Sequence, residues 1–188
     1  MPATSPRPLR ADARRNRDRL LDAAVRAFSQ DGPDVTLDAI AKESGVGIGT
    51  LYRHFPTREA LVEAAYRSEL ARLCDAAAEL LATTAADAAL RTWMDRFVDY
   101  MTTKRGMADA LRAVIASGGN PYAQSRDRMT AAIATLLDAG VAAGTVRPDV
   151  APGDVLTSLS GVTLAAGTPD QARRLLDLLM DGLRYRAS

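Results

Sequence analysis

The chain has little of what enzymes, secreted proteins and membrane proteins are built on. Its 188 residues hold one cysteine, Cys74, and one histidine, His54. A single cysteine excludes an intramolecular disulfide and a multi-cysteine zinc site. Cysteine and histidine lie on different segments, so no nucleophile–base pair is evident. No His/Cys cluster has metal-ligand spacing, and no metal or other cofactor is expected. Gly45, Gly47 and Gly49 precede no Lys-Ser/Thr pair and follow no strand, so they are not a phosphate loop. These absences leave little room for an enzyme. No apolar run reaches the roughly 18–20 residues of a membrane helix. The opening MPATSPRPLR lacks the apolar stretch of a secretory signal. A cytoplasmic protein without a membrane partner is expected. Cys74 reads as a small buried hydrophobe, because no electropositive partner that would activate a thiol is evident.

The composition is that of an ordinary globular protein, 47% hydrophobic and 25% charged. The net charge of +1 is unevenly spread. Residues 1–58 carry ten basic and seven acidic side chains, a net of +3; residues 59–188 carry fourteen and sixteen, a net of −2. Only two of the 24 basic residues, Lys42 and Lys104, are lysine. A basic excess confined to one part of the chain is what a nucleic-acid surface requires.

No segment alternates with period two, and the spacing of apolar residues is helical throughout. The chain reads as all-α with about nine helices. Residues 1–11, rich in proline and arginine, read as a disordered arm that either follows a DNA groove or is simply solvated. A helix follows to Gln30, with Leu20, Leu21, Ala24, Val25 and Phe28 on one stripe. Gly32 and Pro33 stop it. Two short helices come next. Thr36 caps the first, Gly45 makes the turn, and Leu51 and Phe55 give the second its apolar side. Pro56 ends that helix and Thr57 caps a long one reaching about Leu81. Further helices are expected over about 87–104, 107–117, 121–140, 152–166 and 169–186. Pro152 and Pro169 stand at first-turn positions. The domains implied are a helix-turn-helix domain over 12–58 and a helical domain over 59–188.

The spacing of Ala41, Gly45 and Leu51 is that of a helix-turn-helix, and the stretch GVGIGTLYRHFPTREAL resembles the DNA-binding signature of TetR-family transcriptional repressors. Gly49, Thr50, Leu51, Tyr52, His54 and Phe55 follow one another as in that family, with Arg58 as the basic residue opening the next helix. The resemblance covers roughly residues 13–61. Gly47 departs from it, since the family often has serine or threonine there; the change removes one possible phosphate hydrogen bond and weakens the cap. The C-terminal half looks closest to the SbtR-like branch.

This resemblance implies a ligand-responsive regulator, by family default a repressor. It would bind a palindromic double-stranded DNA operator as a homodimer and be released by a small-molecule effector. The second short helix would enter the major groove. Gly47, Ile48, Gly49, Thr50 and Tyr52 would then meet the bases, and Tyr52, His54 and Arg58 would clamp phosphates. Thr36 and Lys42 would lie near the DNA backbone. Tyr52 and His54 also admit a purely structural reading. Trp93, Phe97, Tyr100, Met101, Met107, Leu111, Tyr122, Met129 and Leu136 form a set suited either to a ligand pocket or to plain core. Leu156, Leu159 and Val162, with Leu175, Leu176, Leu179 and Leu183, make the last two helices apolar on more than one face. A four-helix dimer interface would cover them. The competing reading is a helical binding module of the same fold without operator binding.

Overall fold

A computed structural model describes residues 7–32 and 34–184. Among the described residues there are nine helices, α1 Arg7–Gln30, α2 Leu37–Ser44, α3 Ile48–His54, α4 Arg58–Leu81, α5 Ala86–Gly106, α6 Ala108–Ala116, α7 Ser125–Ala142, α8 Pro152–Ala165 and α9 Pro169–Leu183. Among them there is no strand, only an isolated antiparallel bridge between Val146 and Arg184. The all-α reading therefore stands. Of the arm expected over 1–11, residues 1–6 lie outside the described residues, and α1 already begins at Arg7. Pro8 is compatible with that start, because the first-turn N–H groups have no intrahelical partner to lose.

The chain forms two compact units. The first runs up to Ser68 and takes in Thr103–Pro121; the second comprises Glu69–Thr102 and the residues from Tyr122 onward. The division falls inside α4 and not at the expected 58/59 boundary, and α6 joins the N-terminal elements. Gly106 shows why that return is tolerated. A Cβ on it would stand 2.5 Å from the Ser29 carbonyl oxygen, so only glycine lets the end of α5 meet the end of α1.

In the first unit Leu20, Leu21, Ala24 and Phe28 of α1 are buried with Ile40, Leu51, Phe55 and Leu61. Val25 lies half-buried beside the stripe. Thr36 Oγ1 accepts from the Ala39 N–H at 3.1 Å and so starts α2. Gly45 closes α2 in the left-handed region, φ 66°. The Val46 N–H reaches back to the Ala41 carbonyl and the Gly45 N–H to that of Lys42, which satisfies carbonyls that the helix end leaves over. After Phe55 the chain turns at Pro56, and Thr57 Oγ1 accepts from the Ala60 N–H to open α4.

In the second unit Trp93 is wholly buried and donates its indole N–H to the Leu73 carbonyl at 2.8 Å. A buried indole needs such a partner. Phe97 lies 5.9 Å from its ring and Tyr100 6.3 Å from that of Phe97, a ladder along one face of α5. Arg91 ties α5 to α9 through Asp177 at 2.8 Å. Thr168 caps α9 by accepting from the Gln171 N–H. The core of this unit continues through Ile133, Leu136, Leu159 and Leu176.

The expected dimer leucines divide. Leu156, Leu159, Leu176 and Leu183 belong to the chain's own core, while Val162, Leu175 and Leu179 are half-buried. The outward apolar residues are Leu164, 86% exposed, and Leu178, 67% exposed, neither of them in the expected set. Each helix carries an inner stripe and an outer one, and periodicity does not say which the chain covers itself.

Candidate nucleic-acid interface

The two short helices are rigidly set on α1 by arginine. Arg26 of α1 pairs with Glu43 of α2 at 2.8 Å. The Arg17 guanidinium lies 5.6 Å from the Phe55 ring centroid, and that of Arg58 lies 4.8 Å from the Phe28 ring. Arg58 also donates to the Val35 carbonyl. Guanidinium suits these places because it is planar and weakly hydrated. The residue expected to clamp phosphate is thus already engaged with a ring and a carbonyl of its own unit.

On α3 the buried residue is Leu51, with Phe55 buried at its end. Everything else presents outward. Ile48 is 36% exposed and Tyr52 50%; Gly47 and Gly49 are exposed and face open space where a side chain would stand. Large apolar groups left in water next to bare backbone are what a surface needs if it is to approach base edges closely. Thr50 and His54 are half-buried, and the His54 ring lies 6.1 Å from that of Phe55. Lys42 is exposed on α2. Thr36 is exposed too; its oxygen serves as the helix cap, which leaves its O–H free to donate. The structure therefore brings Thr36, Lys42, Gly47, Ile48, Gly49, Thr50, Tyr52 and His54 onto two consecutive short helices.

One exposed side chain on this surface was not among the expected site residues. Arg53 donates from Nε to the Gly49 carbonyl at 3.1 Å and from Nη2 to Thr50 Oγ1 at 3.2 Å. Its place on the helical wheel, opposite Leu51 and Phe55, is the sequence signal that would have found it.

The expected ligand set is divided between the units. Trp93, Phe97 and Tyr100 are buried in the second, with Met101 and Met129 half-buried and Tyr122 exposed. Met107 and Leu111 are buried in the first. A cleft of about 60 Å³ in the first unit, lined by Arg58, Glu59, Val62, Asp109, Ala110 and Ala113, has room for water but not for an organic ligand. Cys74 lies half-buried. Burial pushes its thiol above the ordinary value, opposed by a smaller pull from Arg128. That leaves little of the thiolate on which redox chemistry depends. Among the described residues no helix is long and apolar enough to cross a membrane.

Comparison with known proteins agrees with this geometry. A family described as "Bacterial regulatory proteins, tetR family" matches residues 20–65, and one described as "Transcriptional regulator SbtR-like, C-terminal domain" matches residues 85–185. A solved TetR transcriptional regulator from Streptomyces coelicolor is 56% identical, covering 91% of this chain and 99% of that one with a TM-score of 0.86. A TetR transcription regulatory protein from Mycobacterium vanbaalenii is 36% identical, covering 94% and 99% with a TM-score of 0.79. Among curated relatives, an HTH-type transcriptional regulator of Staphylococcus aureus is 43% identical over 54 residues, which span 28% of this chain and 29% of that protein. Helix-turn-helix, surface chemistry and kinship over nearly the whole length converge: the chain belongs to the TetR family of bacterial transcriptional regulators, DNA-binding proteins and not enzymes.

Proposed function

We propose that this protein is a ligand-responsive repressor that acts in the cytoplasm, binds a palindromic operator as a homodimer and is released by a small-molecule effector. The observation that carries the reading is the outward face of α3. Ile48 and Tyr52 stand in solvent there beside two glycines open to close approach. In this reading Ile48 meets thymine methyl groups, and Thr50, Tyr52 and His54 hold the phosphates on either side. Thr36 and Lys42 extend the backbone contacts from α2. Arg58 acts by holding α4 against α1 through Phe28, and so sets the angle from which its neighbours reach the DNA.

A second copy would cover the outer stripes of α8 and α9, marked by Leu164 and Leu178, with Val162, Leu175 and Leu179 at the edge. The effector site is assigned to the second unit, around Trp93, Phe97, Tyr100, Met101, Tyr122 and Met129, where aromatic and thioether surfaces suit an apolar organic molecule. An effector that fits one dimer conformation better shifts the spacing of the two α3 helices and lowers affinity for the operator.

The test is a binding selection against random and genomic duplexes, read by sequencing. An enriched inverted repeat is expected, with half-sites separated by a multiple of one helical turn. Weak binding that falls steeply with salt and enriches no sequence would instead favour a helical module that binds a small molecule or a protein without an operator.

A further inference from the structure

Arginine on this protein is usually neutralised locally. Arg67 pairs with Glu63, Arg72 with Glu69, Arg173 with Asp170 and Arg26 with Glu43. Arg53 differs. Helix α3 contains no acidic residue, and among the described residues no carboxylate pairs with Arg53. It is exposed, yet its guanidinium is held in place by the Gly49 carbonyl and the Thr50 hydroxyl.

Two geometric facts give that arrangement a direction. With 3.6 residues per turn, Arg53 stands about 180° around α3 from the midpoint of Leu51 and Phe55, the buried side. No other residue of α3 points so directly away from the packed face. A helical side chain also leans toward the N-terminus, over the preceding turn. Here that turn offers Gly49, whose missing side chain leaves open space. The guanidinium lies back over the part of α3 that a helix-turn-helix carries deepest into the groove. It is fastened by Nε and one N–H of Nη2, which belong to the same edge of the fork. The opposite edge, made by Nη1 and the second N–H of Nη2, is left facing outward as two parallel donors. That is the donor pair which fits guanine O6 and N7. Fastening the long side chain beforehand also removes rotamer entropy that binding would otherwise have to overcome.

The geometry points to Arg53 as a specificity-determining residue that reads one guanine in the major groove of each operator half-site, with Ile48 and the glycines supplying closeness and not a code. This inference rests on the operator-binding reading above and deepens it.

The experiment runs the duplex selection in parallel on the wild-type protein, Arg53→Ala and Arg53→Gln, followed by titration of the selected operator and its single-pair variants at several salt concentrations. The wild-type protein is expected to fix one G·C pair per half-site, and replacing that pair should weaken its binding by roughly tenfold or more. R53A should recover the same repeat with that position free, and with an unchanged salt slope, since no phosphate contact has been removed. R53Q should move the preference there toward adenine, a gain that an unfolded protein cannot show. An operator without a fixed guanine would overturn the inference. So would an R53A protein weakened equally on every duplex with a shallower salt slope, which marks a phosphate contact, or one with unaltered preference. A wild-type protein that selects no sequence at all would overturn the operator reading itself, and this inference with it.

Discussion

Arg58→Met separates two roles that one residue could play at the head of α4. Methionine keeps an apolar stem of similar reach and removes the guanidinium. Two contacts are lost: the cation–π contact, with the charge 4.8 Å from the Phe28 ring, and the donation to the Val35 carbonyl. The first is worth about 0.5–2 kcal/mol depending on desolvation. The second, from a charged donor, is worth about 1.5–3 kcal/mol. Arg58 is half-buried, so the lower half of each range applies, and the retained stem recovers part of the packing. A loss of about 2 kcal/mol for the first unit follows, with Arg58→Lys intermediate because an ammonium retains the charge but not the planar face. Urea unfolding followed by circular dichroism, with hydrogen exchange on α1 and α2, measures it. Operator affinity should fall only as far as the helix-turn-helix is loosened, and its salt slope should not change. The reasoning is refuted if R58M keeps its stability to within about 0.5 kcal/mol while the salt slope drops by about one, the loss of a single phosphate contact.

Other perturbations test other parts of the structure. Gly45→Ala meets no clash, since its Cβ would lie 3.7 Å from Arg19 Nη1, so its cost is that of the left-handed backbone alone. About 1–2 kcal/mol of strain, offset by about 0.4–1 kcal/mol from a stiffer unfolded chain, leaves a net loss near 1 kcal/mol in urea unfolding, with Gly45→Asn smaller. Gly106→Ala costs for the opposite reason. Its Cβ would stand 2.5 Å from Ser29 O and 2.9 Å from Ser29 Cα, so two backbones must part; thermal melts should show a loss of about 1–3 kcal/mol. Leu164→Glu combined with Leu178→Glu should yield a monomer in analytical ultracentrifugation. Operator affinity should drop by tenfold or more as the two half-sites cease to be bound together; a persisting dimer would place the interface elsewhere.

The first three helices were legible because their signals are local. Thr36, Gly45, Pro56 and Thr57 act on their own or adjacent turns, and each does in the structure what its chemistry dictates. Leu51 and Phe55 are inward for the same reason, a spacing of one turn. What sequence could not show is what depends on distance. Arg58 meets Phe28 across thirty residues, a pairing no window of the chain contains. Residues 103–121 join the first unit although they follow the long α4 and α5. On α9, Ala172, Leu176, Met180 and Leu183 are buried while Leu178 is exposed. Both stripes are leucine-rich, so hydrophobicity alone marks the helix as two-sided without saying which side remains open. Arg53 was passed over for a related reason. The family signature draws attention to its neighbours Tyr52 and His54, whereas the argument for Arg53 comes from angle and from the space left by Gly49.

The enclosure of Trp93 has a practical consequence. It is the only indole in the chain, it is 0% exposed, and its N–H is fixed by a carbonyl beside the Phe97 ring. A fluorophore so immobilised and so dry emits toward the blue, and its signal comes from the second unit alone, since the helix-turn-helix carries no tryptophan. The protein thus contains its own optical gauge. A compound that perturbs the aromatic ladder shifts the colour or intensity of that one emitter without any label. A labelled duplex, observed separately by anisotropy, reports the reading head. Watching the two signals in one cuvette would time the order of events, whether the ladder moves before the duplex departs or only afterwards.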